Sequence, residues 1–450
     1  MKSEHNSPEG LMSSQTTKLK AIISPTPILP VRSFSFLTKL YLLGYAIYVI
    51  LLFNVKFDKA LDWYALGLVF YGLCCLRSRH IDALWNTFKS TPALKVFGLS
   101  LLGLVLALSA ATFRQLPQTS GLLSLGAQCW VPLALSIITA SILMSTKNAN
   151  TFLLTIFSLG AATIAGFDIG LYSQQWSSPI PMDVGNSHRD LADAYTFFLP
   201  FVWTLAIFAK SKFYRVLLWI LIILIGMLSV GAGSRGVYIA LFFEWLILML
   251  ISAFGVFLKK NNNEDKRLIS FTKLTAIGAI LGLALWATVH WLSPDLFYGA
   301  LSRGLQVDDR MLSTWKPTIL FISNEPWFGY GFGPSIWNAV YSAHQIQLPG
   351  AINFGGAHNW LLQLGFLGGI FAIAFTLCLI VGVFWQLRLI LDNIQIDLPI
   401  QNAALALGLS FFTFYLVRGL VETPNWKPFY LLMTYLLYLS WKYKSSLQKK

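Results

Sequence analysis

The chain has 450 residues, of which 56% are hydrophobic and 12% charged, with a mean hydropathy of +0.63. These values exclude an ordinary soluble domain and indicate a polytopic all-α membrane protein. The net charge of +14 is assigned to cytoplasmic anchoring on anionic lipid, and a nucleic-acid surface is excluded.

Residues 1–35 are polar, rich in Ser, Thr and Pro, and lack a signal-peptide pattern; they read as a disordered cytoplasmic tail. Apolar runs long enough for a hydrocarbon core then recur, giving about twelve candidate spans. Nine lie within 36–291, near 36–53, 61–76, 93–113, 121–144, 151–172, 191–209, 215–232, 236–258 and 271–291. Three more fall within 359–441, near 359–385, 400–420 and 428–441, and 442–450 form a cytoplasmic tail. With the N-terminus inside, the outer segments keep only Lys56, Lys59, Arg114, Arg189, Arg235, Arg303, Arg310, Lys316, Arg418 and Lys427 of the 33 Lys and Arg residues. That asymmetry agrees with the positive-inside rule. Cys74, Cys75, Cys129 and Cys378 all fall in spans without metal-ligand spacing and read as small core residues.

Two outer connections are long. One runs from Tyr172 to Asp190. The other, 292–358, is long enough for a lid with short helices of its own. Its segment RMLSTWKPTILFISNEPWFGYGFGPSIWNAVY reads as helix, Gly-rich turn, helix, and carries Trp315, Trp327 and Tyr330. Such aromatics either stack on sugar rings or anchor the loop at the lipid interface.

Four histidines, His188, His290, His344 and His358, fall on the outer side. An isolated outer histidine is commonly a solvated residue. His358 stands out because it lies where the lid re-enters the bundle, beside Asn359, which can orient it, and after Gly355 and Gly356, which permit close approach. Arg235 and Arg189 open the eighth and sixth spans at their outer ends, and Arg310 begins the lid helix. Arginine at a helix N-terminus suits a phosphate; the alternatives are snorkelling or ion pairs of Arg310 with Asp308 or Asp309 and of Arg189 with Asp190 or Asp193. No further acid supports Asp308 and Asp309 as a metal site, and no nucleotide-binding loop or Gly-x-Ser-x-Gly elbow occurs, so neither metal, cofactor nor ATP is expected.

Taken in order, SRG (Ser234 to Gly236), R-x4-W (Arg310 to Trp315), PWFGYGFG (Pro326 to Gly333) and AHNWLLQL (Ala357 to Leu364) resemble the O-antigen ligase and O-antigen polymerase superfamily. GNSHRDLADAYTFFLP is similar to an upstream segment of that family, so the resemblance runs from Gly185 to Gly369. It implies a membrane-embedded glycosyltransferase at the periplasmic face of the bacterial inner membrane, with an undecaprenyl-diphosphate-linked polysaccharide as donor and the lipid A core as acceptor. Carried over by motif, Arg235 and Arg310 would bind the diphosphate and His358 would be the catalytic histidine. Arg189 is added from charge and position, and Asn359, Trp315, Trp327 and Tyr330 are candidate acceptor or sugar contacts. One departure is that family members often carry a polar residue where this chain has Gly365, Phe366, Leu367 and Gly368; if that group places the acceptor in the family, the acceptor differs here. The alternatives are an O-antigen polymerase, which joins lipid-linked repeat units, a protein O-oligosaccharyltransferase, and a polysaccharide transporter. The transporter is disfavoured because Asp168 and Glu244 are the main acids within spans.

Overall fold

In the computed structural model the described residues are 36–54, 57–114, 119–146, 148–177, 185–209, 211–231, 235–254, 279, 282–283, 311–333, 336–343, 356–393 and 396–448. Among them every regular element is helical, as expected of an all-α polytopic membrane protein. Six helices are long and apolar enough to cross a membrane, or seven when one bent pair counts as a single span. The expected tail 1–35 and nearly all of the expected ninth span lie outside the described residues.

The bundle begins with α1 (Phe36–Leu51) and α2 (Asp58–Cys75). The basic stretch after α2 is itself helical: α3 (Ser78–Ser90) turns away by 102°. Ile81 and Trp85, one turn apart, are exposed on it, and Lys89 Nζ lies 5.0 Å from the Trp85 ring centroid. An apolar stripe beside a cationic one suits a helix lying at a headgroup boundary. α4 (Pro92–Arg114) follows, then α5 (Thr119–Leu125), which passes through a π-helical segment, Gly126–Trp130, into α6 (Val131–Met144).

α7 (Ala149–Ser177), α8 (Gly185–Phe208), α9 (Lys212–Gly231) and α10 (Arg235–Phe254) complete the first half. Aromatic rings hold its centre. Phe157 meets Phe201 at 4.5 Å between centroids, and Phe53 meets Phe198 at 5.1 Å. Within a bilayer these rings hold the helices by close, geometrically specific packing, not by removal from water. α9 instead exposes Phe213, Val216, Leu217 and Ile220, as a helix facing lipid does.

After the lid helices α11 (Lys316–Asn324) and α12 (Ile336–Ala343) come α13 (Trp360–Leu391), α14 (Leu398–Ser410) and α15 (Lys427–Leu447). α15 continues into the segment expected as a tail. α13 lies against α4, and the closeness of the pair has a local cause: a Cβ on Gly382 would sit 2.8 Å from the Phe97 backbone nitrogen.

α13 is broken where Gly368 and Gly369 leave helical geometry, Gly369 at φ 65°. Such a break frees backbone groups that a membrane protein has to satisfy internally. The Gly-rich lid turn does so: Tyr330 N–H donates to Phe366 O and Gly331 N–H to Leu367 O, both at 2.8 Å, while Ile370 N–H donates to Pro326 O at 2.7 Å. Gly329 and Gly331, at φ 62° and 70°, supply the left-handed turns this docking needs. The other side of the turn is tied to α4, where Thr112 Oγ1 accepts the Phe332 N–H at 2.9 Å and Arg114 pairs with Glu325 at 2.8 Å.

Candidate functional site

His358 follows the lid and precedes α13. Asn359 caps that helix, its side-chain oxygen accepting the Leu362 N–H at 3.1 Å and its amide donating to Leu420 O at 3.0 Å. Asn359 therefore fixes the backbone beside His358. The imidazole itself is held by a residue that the sequence does not single out: His358 Nδ1 is 2.8 Å from Glu422 Oε2. A carboxylate accepts here, so Nδ1 carries a proton; in a neutral ring the lone pair then lies on Nε2, the form a general base requires.

The backbone of His358 is also unusual. Its φ of 48° makes it the one non-glycine residue in the left-handed region among those described. That geometry costs about 1–2 kcal/mol for a side chain of this kind. The bond to Glu422 and the Asn359 cap hold it in place.

Glu422 belongs to a short segment that several distant elements meet. α14 runs on through a π-helical stretch, Phe411–Val417, and a 3-10 turn, Arg418–Leu420, before this segment reaches α15. Arg418 is 2% exposed and pairs through Nη2 with Asp193 of α8. Its Nε and Nη1 have no hydrogen-bond partner among the described residues. A buried guanidinium with unsatisfied donors is costly unless an anion completes it.

Gly236, the last residue of SRG, packs on the same segment, since a Cβ there would meet Val421 Cγ2 at 3.1 Å and Arg418 Cγ at 3.8 Å. Three stretches selected in the sequence thus converge. The α8 stretch arrives through Asp193, SRG through Gly236, and AHNW through His358.

The remaining expected residues divide. Arg235 begins α10 and Arg189 lies in the first turns of α8; their backbones are placed and their side chains are not described. Arg310, with Asp308 and Asp309, lies outside the described residues. Asp193, an alternative ion-pair partner for Arg189, binds Arg418. Trp315 sits in the π-helical Met311–Trp315, its indole N–H buried without a partner among the described residues. Trp327 is 60% exposed and lies 5.8 Å from Phe371, an arrangement suited to the lipid interface. Tyr330 is buried: its ring stacks on Phe366 at 5.0 Å and its hydroxyl donates to Phe321 O at 3.3 Å. Gly365 to Gly368, where the polar residue is missing, lie in the same packing, with Ile322 against Gly365.

Glu422 and Arg418 sit in RGLVET at the end of an apolar run. Two charges of opposite sign four residues apart at a span's outer end were the available signal, and single outer charges ordinarily report only topology.

A cavity of about 580 Å³ is lined by Asp193, the partner of Arg418, and by residues close in sequence to His358 and Glu422. Thr423, which follows Glu422, and Gln363 both line it. Gln363 Oε1 accepts the N–H of Ala357, the residue before His358, at 2.9 Å.

A family model described as O-antigen ligase matches residues 220–377, a stretch that includes SRG, the lid and AHNW and ends before Arg418. The chain is similar to the O-antigen ligase of Salmonella typhimurium, 27% identical over 262 residues. That alignment covers 56% of this chain and 59% of the relative's length.

Proposed function

We propose, from the membership of the O-antigen ligase superfamily that these matches support, that the protein is an O-antigen ligase. It would be an inverting, metal-independent glycosyltransferase of the inner membrane with its site facing the periplasm. The donor is a polysaccharide on undecaprenyl diphosphate and the acceptor is the lipid A core. The observation that carries this reading is the His358–Glu422 pair at 2.8 Å, with a cavity lined by the neighbouring Thr423 and Gln363.

The chemistry follows from the tautomer. His358 Nε2 takes the proton of an acceptor hydroxyl as that oxygen bonds to the anomeric carbon of the donor sugar. The anomeric carbon's bond to phosphate breaks, and its electron pair leaves with undecaprenyl diphosphate. Attack opposite the leaving group inverts the anomeric centre. Glu422 stabilises the imidazolium that forms, and a base of this kind contributes about 10²–10⁴-fold.

Charge grows on the departing diphosphate, and Arg235, Arg310 and Arg189 are proposed to receive it. Arg418 adds buried donors beside Gly236, the residue that follows Arg235. With several guanidinium groups on the leaving group, the reaction needs neither metal nor ATP. Asn359, Trp315, Trp327 and Tyr330 remain proposed contacts to the glycans, Tyr330 from a packed position.

The test is reconstitution of purified protein with undecaprenyl-diphosphate-linked glycan and lipid A core, with chelator and without ATP. A ladder of higher-mass core that is lost in His358→Ala supports the ligase. Longer chains on the polyprenyl carrier, with the core unshifted, would make it a polymerase.

A further inference from the structure

The helix α3 lies at the end of α4 away from the lid turn, and two neighbours set its depth. Phe88 lies against Gly98, in the second turn of α4, where an added Cβ would overlap its ring. From α15, Lys444 in the last turn donates through Nζ to Asn86 O at 2.8 Å. α3 is therefore level with the first turns of α4 and the last turn of α15. Exposed Phe70 and Leu73 close α2, and exposed Leu99, Leu102 and Leu106 run along α4, as on helices that meet acyl chains. Ile81 and Trp85 expose apolar surface between these two helices.

The stripe is bordered by cations. Arg77, just before α3, and Lys89, in its last turn, are both exposed, and Lys442 and Lys444 stand on the neighbouring end of α15. Asp82 is the one acid on the helix. The segments 1–35 and 255–278, outside the described residues, carry more Lys and Arg than Asp and Glu, so their composition does not offset this charge. Arg79 is partly buried between them, and its Nε has no hydrogen-bond partner among the described residues. A guanidinium with an unsatisfied donor is stabilised by a phosphate drawn against it.

We propose that α3 is a docking surface for anionic phospholipid in the leaflet on that side, and that the charge of the headgroup decides which lipid it holds. Ile81 and Trp85 enter the boundary of the acyl chains, while Arg77, Arg79 and Lys89 take the headgroup phosphates. The contact of Lys89 with the Trp85 ring, at 5.0 Å, keeps a cation beside the inserted indole. A zwitterionic lipid also carries phosphate, but its own ammonium cancels the attraction, which is worth about fivefold in affinity for each cation near an anionic surface. Two apolar side chains one turn apart offer far less area than a stable protein interface needs, so the lipid is the favoured occupant.

The experiment places the full chain in nanodiscs of phosphatidylcholine, alone or mixed with phosphatidylglycerol, and follows amide hydrogen exchange of the 77–90 peptide by mass spectrometry. In wild type, exchange should be about fivefold or more slower with the anionic lipid. Arg77→Gln combined with Lys89→Gln should erase that difference. Its exchange in phosphatidylcholine, and in peptides from other helices, should match wild type and show that the variant is folded. Lys89→Gln alone should remove part of the difference, and Trp85→Ala should speed exchange in both lipids. Equal wild-type rates in the two lipids, or a difference that survives in the double variant, would overturn the proposal. Equal slowing by inorganic phosphate in phosphatidylcholine discs would also overturn it, by assigning the cations to a soluble anion.

Discussion

The lid turn Pro326 to Gly333 meets α13 at its break and the segment Arg418 to Glu422 meets the start of α13, and they are built on different principles. In the lid turn the hydrogen bonds to α13 are short, the glycines occupy left-handed geometry without strain, and Tyr330 is packed on Phe366. The Arg418 segment concentrates cost: a buried ion pair, guanidinium donors without partners among the described residues, and contact with the strained His358. A glycine-rich motif that looks functional in the sequence shapes the scaffold. A plain-looking RGLVET holds the charges.

That contrast can be broken from either side. The largest effect is expected in the charged region: His358→Ala should lower the transfer rate by about 10²–10⁴-fold while the protein inserts and melts normally. In a transfer assay, loss of less than threefold would remove His358 from the reaction. Arg418→Ala removes the ion pair to Asp193 and should lower the thermal midpoint, besides weakening the donor. An unchanged midpoint would mean the pair is not formed.

Glu422→Gln is subtler. A glutamine amide can donate to Nδ1, which moves the ring proton to Nε2 and removes the base, so transfer should fall by about 10²-fold with stability little altered. In the scaffold region the readout reverses. Gly369→Ala would overlap the Trp327 carbonyl and force a left-handed alanine, costing about 2 kcal/mol or more of stability. Its residual transfer per folded molecule should stay near wild type. Trp327→Ala, at an exposed interface position, should shift the midpoint by less than about 1 kcal/mol equivalent.

Much of the fold is legible in the sequence because spans are long apolar runs, and most of the expected segments coincide with helices within a few residues. The helix Ser78–Ser90 is missed because its apolar stripe is interrupted by charges, and a span search looks for unbroken runs. His358 is visible as a titratable group against a span. Glu422 is not, because its role depends on a contact 64 residues distant in the chain. Tyr330 shows the opposite difficulty: an aromatic in an outer loop has the same letter whether it meets a sugar or, as here, Phe366. Composition and spacing find where polarity lies, and only folding decides which polar groups touch.

The most direct test is a double-mutant cycle on single-turnover transfer, with wild type, His358→Ala, Glu422→Gln and the double variant in the same nanodiscs. If Glu422 acts through the His358 imidazole, the double variant should be no slower than His358→Ala alone. Losses that multiply would contradict the pair and give the two residues separate roles.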